Sequence, residues 1–228
     1  MHWTDPIDAY CERLGAGFWA EPFNAVSNLA FLLVAAAALL AWLRADATAG
    51  RRRRDLASLF LLSLVGVIGI GSFLFHTFAN RWSSLADVIP ITLFIACYLG
   101  VALYRFIGLP RWVAALLVLA FFASAFLAGD FLTQRVGSSS GYVPPALALY
   151  AIGLALAFRR RSPARRMLGA AVVFTASIGL RMADMPLCAA HPLGTHFLWH
   201  ILNAATLGLL LSAVIRHGVR PGQHRITA

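Results

Sequence analysis

Residues 66–76 read GVIGIGSFLFH, and the rest of the chain is arranged around them. They lie near the end of an apolar run, 56–78, that matches the ~20 residues a transmembrane helix needs. Ser72 and His76 stand four positions apart in it, which stacks a hydroxyl and an imidazole on one helical face. Polar groups of this kind are costly in hydrocarbon and face a protein interior or a water-filled cavity. The glycines of GVIGIG let a neighbouring helix approach closely. The stretch is a membrane helix with one polar stripe, and the remaining helices must supply that stripe with partners.

Working outward, further apolar runs fall at 24–44, 84–104, 111–129, 141–158, 166–184 and 195–216. The chain of 228 residues is 60% hydrophobic and 12% charged, against about 25% charged in a soluble domain. The expected fold is all-α, a seven-transmembrane-helix bundle over 24–216. An outer segment, 1–23, precedes it and a basic tail, 217–228, follows. Residues 1–23 lack the basic start and apolar core of a signal peptide and carry Asp5, Asp8, Glu12 and Glu21. The segment 130–141, with its SSSG, reads as an outer loop.

The formal charge is +10, carried by nineteen arginines and no lysine. Without a lysine there is no Schiff-base site, so a retinal protein is excluded. The arginines cluster between spans rather than along a nucleic-acid-binding face, so no nucleic-acid partner is expected. Fifteen lie on one side: Arg44, the run at 51–54, Arg105, Arg111, the group at 159–166, Arg216 and the two of the tail. Arg13, Arg81, Arg135 and Arg181 lie on the other. By the positive-inside rule the N-terminus is outside and the C-terminus cytoplasmic. The Ala- and Arg-rich, lysine-free composition fits a GC-rich bacterial genome, which would put the protein in the cytoplasmic membrane with its site toward the outer face.

On this topology His76 is about one turn from the outer end of span two, and Asp87 about one turn into span three. Span seven opens HPLGTHFLWHIL, with His196 and His200 again four apart on one face. Three histidines and a carboxylate thus reach one depth from three spans. Three histidines suffice for a catalytic zinc, with a fourth position left for water. Asp87 could take that water's proton, and Ser72 could orient a ligand or donate to a developing oxyanion. Each residue alone has a plainer reading: a histidine at a span end as an interfacial group, a serine bonded to its own backbone. The joint pattern favours the metal.

Arg181 and Asp184, three apart at the outer end of span six, read as a local ion pair, with support of a metal ligand as the other role for Asp184. Asn24, Ser27 and Asn28 read as cap and interhelical groups. Cys11 and Cys188 both fall outside, where disulfides persist, and are expected to pair. Cys97 reads as a buried free thiol.

These pieces bear a likeness to a known family. YCE at 10–12, AEPFNAVSN at 20–28, GSFLFH at 71–76, Asp87, RMADMPLC at 181–188 and HFLWH at 196–200 together resemble the alkaline ceramidases. These belong to a wider superfamily of seven-span metal hydrolases with adiponectin-receptor-like and GPI-remodelling members. The resemblance implies zinc on His76, His196 and His200, with Asp87 and Ser72 as catalytic groups. It also implies hydrolysis of a ceramide-like membrane lipid to a long-chain base and a fatty acid, in a pocket reached from the membrane. It implies a calcium site as well, from Asp8, Glu12 and Glu21. Tyr10 and Leu14 depart from that motif, and calcium takes six to eight oxygens. The alternatives are an ester-cleaving lipase of the same superfamily and a non-enzymatic seven-helix receptor with structural zinc.

Overall fold

The computed structural model describes residues 2–48 and 55–217. The arginines at 51–54, Arg220 and Arg225, and with them all of the basic tail but His217, lie outside the described residues. Among the described residues every regular element is helical, apart from one isolated bridge between Pro6 and Asn80. The short α1 (Pro22–Ser27) leads into α2 (Leu29–Thr48), and α3 (Leu56–Phe78) holds the opening motif. Next come α4 (Arg81–Val101), prolonged by a π-helical turn over Ala102–Ile107, and α5 (Arg111–Leu127). A two-turn α6 (Gly129–Val136) and a 3-10 turn (Gly137–Tyr142) lead into α7 (Val143–Phe158). Two long helices, α8 (Ala164–Leu187) and α9 (His196–His217), complete the bundle.

Among the described residues six helical stretches are long and apolar enough to cross a membrane: Pro22–Ala45, Leu56–Phe78, Arg81–Ile107, Gly129–Phe158, Ala164–Leu187 and His196–His217. The run expected at 111–129 is a shorter apolar helix, α5, of 17 residues. One expectation is corrected. Residues 130–141 are not a loop but helix running into α7. The serines that read as loop composition are bound instead, two of them by α8 and one within the segment itself. Arg181 Nη1 donates to Ser138 Oγ and Ser139 Oγ, and Thr133 Oγ1 bonds Ser140 Oγ.

α3 and α9 form the centre of the bundle. α3 packs on α2 and α4, and α9 on α8 and α2. Leu61, Val65 and Ile68 of α3 and Leu211, Ala213 and Val214 of α9 are buried there with Phe31 and Met167. The glycines of GVIGIG set the spacing. A Cβ at Gly69 would stand 2.9 Å from Phe31 Cβ, and one at Gly71 would stand 2.0 Å from Ala86 O. The α3–α4 crossing is therefore a backbone contact that only glycine permits, and it lies beside Asp87.

Both ends of α3 are closed by local chemistry. At its start Asp55 accepts from Ser58 N and Ser58 Oγ. Two 2.7 Å bonds from Arg105 complete the carboxylate's partners. At its end Ala79 takes a left-handed φ of 42°, and Asn80 and Ser83 form a capping box that starts α4. This tight turn holds the last turn of α3 and the first of α4 side by side.

Candidate metal centre

His76 ends α3, and His196 and His200 open α9. All three are buried, with relative exposures of 1%, 2% and 1%. Their ring centroids lie 4.6–5.1 Å apart. One nitrogen of each lies within 4.8 Å of the others, close enough to bind one metal ion.

The hydrogen bonds decide which nitrogens are bare. His76 Nδ1 lies 2.6 Å from Glu21 Oε2. Burial alone would raise the Glu21 carboxyl, but the bonds from His76, Asn24 and Arg13 overcome it and hold it below the usual carboxylate range. Glu21 is therefore an acceptor and His76 Nδ1 carries a proton, so that in the neutral, metal-binding ring Nε2 is the lone pair. His200 Nδ1 lies 2.7 Å from Ser27 Oγ, whose hydroxyl donates to Asn24 O at 2.9 Å. Ser27 thus accepts from His200, and His200 Nε2 is also bare. These two Nε2 atoms face each other at 3.1 Å. With both rings neutral in these tautomers, two lone pairs meet at that separation, and a shared proton or a metal ion between them relieves the repulsion. Two nitrogens on a tetrahedral zinc, each ~2.0–2.1 Å from it, stand about 3.3 Å apart, so the pair fits such an ion. His196 adds an Nδ1 that is buried with no hydrogen-bond partner.

The third histidine is held by a separate network. Asp184 Oδ1 accepts from Thr195 N at 2.7 Å and His196 N at 2.9 Å, capping α9 at its ligand end. Its Oδ2 accepts from Cys11 N at 2.9 Å. Gly194, at φ +63°, leaves room for this carboxylate, since a Cβ there would fall 2.1 Å from Asp184 Oδ1. The ion pair expected between Arg181 and Asp184 does not form, because three backbone N–H groups already occupy Asp184. The expected disulfide does form between Cys11 and Cys188, with Cα atoms 5.4 Å apart. Tyr10, next to Cys11, stacks on His196 at 3.7 Å. Burial pushes its phenol up to about 12, so it packs as a neutral ring.

Asp87 and Ser72 lie alongside. The Gly71–Ala86 contact brings α4 in, and Ser72 sits against the Asp87 carboxylate with His76 in electrostatic range. Asp87 Oδ1 is buried without a hydrogen-bond partner. One turn deeper, from Ile68 and Ile91, an apolar cavity runs between α4, α7, α8 and α9, past Phe94, Leu149, Phe174 and Leu207.

The carboxylates named for calcium have other partners. Glu12 accepts from Phe23 N at 2.6 Å and Asn24 N at 2.8 Å, capping α1, and burial raises its carboxyl. Glu21 is bound by Arg13, Asn24 and His76, and Asp8 is exposed. With N–H donors and a guanidinium on them, these groups do not fit a calcium ion. Sequence reasoning passed over Arg13 and the roles of Glu21 and Ser27 as orienting groups. A glutamate directly before a proline-started helix, six residues before a serine, was the available signal. The chain matches no family model, no curated protein and no solved structure.

Proposed function

We propose that this protein is an integral membrane, zinc-dependent amidase that cleaves the N-acyl bond of ceramide-like lipids. The observation that carries the reading is the pair of bare Nε2 atoms facing each other at 3.1 Å beside an unpartnered carboxylate oxygen of Asp87. Three imidazoles, two of them held by hydrogen bonds to their other nitrogens, are the ligand set of an open zinc site. Bound zinc would supply Lewis acidity toward the scissile carbonyl and a nucleophile at neutral pH.

The chain's own residues supply the rest. His76 and His200 are fixed in rotation by Glu21 and Ser27, and His196 by Tyr10 and the capped start of α9. Asp87 accepts the proton of the attacking water and returns it to the leaving nitrogen. The amide C–N bond breaks as the new C–O bond forms, giving a fatty acid and a long-chain amine. Ser72 orients the Asp87 carboxylate and lies where the carbonyl oxygen gains charge. The apolar cavity one turn deeper takes a lipid chain, and the arginine distribution supports a centre toward the outer face.

The test is hydrolysis of chain-matched N-acyl and O-acyl lipids by purified protein, with zinc measured in wild type and His200→Ala. Fatty acid released from the amide, and lost with zinc in the variant, is the expected result. Stoichiometric zinc with no cleavage of any lipid overturns the reading in favour of a receptor with structural zinc. Cleavage of esters alone moves it to a lipase.

A further inference from the structure

Arg181 lies near the triad end of α8 and is partly buried. Its guanidinium carbon stands 5.3 Å from the Tyr142 ring centroid and 5.9 Å from those of Tyr10 and Trp199. Three aromatic rings thus flank it and shield it in part. A charge so placed is ordinarily paired with a carboxylate. Arg181 has none within ion-pair distance among the described residues. Asp184, one turn on, is fully taken by Cys11, Thr195 and His196. Asp87 is in electrostatic range but makes no bond to it.

The five N–H donors of the guanidinium are only partly used. Nη1 donates to Ser138 Oγ and Ser139 Oγ at 2.9 Å, and Nη2 reaches Tyr10 Oη only at 3.5 Å. These acceptors are neutral hydroxyls. Nε–H and the second Nη2–H have no protein partner among the described residues. The remaining fork is the geometry with which arginine takes a carboxylate or phosphate.

The position says what the anion belongs to. Tyr10, under Arg181, is stacked directly on His196, and Trp199 immediately precedes His200 with its ring 6.5 Å from that of His196. The cation is one aromatic ring away from the triad. In an N-acyl lipid the amide and the polar end are separated by only a few bonds. With the scissile carbonyl at the triad and a chain in the apolar cavity, the polar end falls at Arg181.

The geometry points to Arg181 as an oxyanion subsite, so that the preferred substrate is an N-acyl lipid whose polar end carries a carboxylate or phosphate. This rests on the amidase reading for its placement, but it concerns binding and is tested by binding. Purified protein is titrated with four chain-matched lipids: ceramide, ceramide 1-phosphate, an N-acyl amino acid and the free fatty acid. Affinity is read from tryptophan fluorescence and thermal shift for wild type, Arg181→Gln and Arg181→Lys. Wild type binds the two anionic N-acyl lipids about tenfold or more tighter than ceramide, as charge-assisted bonds imply. The ratio collapses in Arg181→Gln and is partly restored in Arg181→Lys. Equal wild-type affinity for charged and neutral N-acyl lipids overturns the subsite, and that arm needs no variant to fold. Arg181-dependent binding of free fatty acid alone also overturns it, because the cation would then read the acid product. Cleavage is followed in the same samples, so anionic preference without turnover sinks the amidase reading and leaves the subsite standing.

Discussion

Glu21 and Ser27 show how much of the centre depends on residues that touch no substrate. Each takes the Nδ1 proton of one histidine, at 2.6 Å and 2.7 Å, and so leaves the opposite nitrogen bare. Outer hydrogen bonds of this kind are worth about 10–100-fold in metal affinity. Glu21→Gln should therefore bind zinc about 10–100-fold more weakly in a competition titration against a chelator, with Ser27→Ala milder because a water can replace a hydroxyl. Unchanged affinity in Glu21→Gln would mean that His76 is oriented by packing alone. Asp87→Asn should behave in the opposite way, keeping its zinc while turnover falls about 10²–10⁴-fold, the usual contribution of a general base. The histidines were legible in the sequence because i, i+4 spacing survives folding. Glu21 and Ser27 were not, because their partners are 55 and 173 residues away. Arg181 and Asp184 misled for a related reason: helical spacing made them neighbours, and backbone N–H groups from the Cys11 segment and the start of α9 claimed the carboxylate first.

At the level of helices the decisive contact is glycine against backbone. A side chain at Gly71 would meet Ala86 O at 2.0 Å, and backbone, unlike a flexible side-chain end, cannot swing aside. Gly71→Ala must therefore push α3 and α4 apart at the turn that carries Ser72 and Asp87. We expect a loss of about 1–3 kcal/mol, typical of overpacking, seen as a lower melting temperature, together with a fall in kcat larger than the change in zinc affinity. Gly66→Ala is the control, since its Cβ would meet only Ala35 Cβ at 3.9 Å. Equal effects of the two substitutions would refute the close-approach argument. That a neighbour would approach this glycine run could be read in the sequence; which glycine it would touch depended on the relative rotation of two helices and could not. The segment 130–141 failed for the opposite reason: its serines are loop-like in isolation and become helical because Arg181 from α8 bonds them.

Over the whole molecule, hydropathy announced the membrane helices, and six of the long apolar runs recur as helices that could span a bilayer. What hydropathy could not announce is how the end of the bundle far from the histidines is tied together. Asp55 does this. It caps α3, receives two 2.7 Å bonds from Arg105 in the π-helical turn after α4, and offers its carbonyl to Trp42 Nε1 of α2 at 3.1 Å. Burial would raise its carboxyl, but the Arg105 and Ser58 bonds outweigh burial and hold it below the ordinary value. A carboxyl depressed on folding binds its proton more readily in the unfolded chain. Its stabilisation is complete above the unfolded value of about 3.9 and is lost as pH falls through the lower folded value. Charge-assisted bonds of this kind contribute about 1.5–3 kcal/mol. Asp55→Asn should thus melt below wild type at pH 7, and the gap should stay constant down to about pH 4 and then narrow on further acidification. Other carboxylates also titrate there, but they are common to both proteins and cancel in the difference. A gap that stays open below pH 3, or that is absent at pH 7, would show that the three helices are held by apolar packing rather than by this carboxylate. Zinc release at low pH is separable, because the histidines lie at the other end and the same comparison can be run in the presence of chelator.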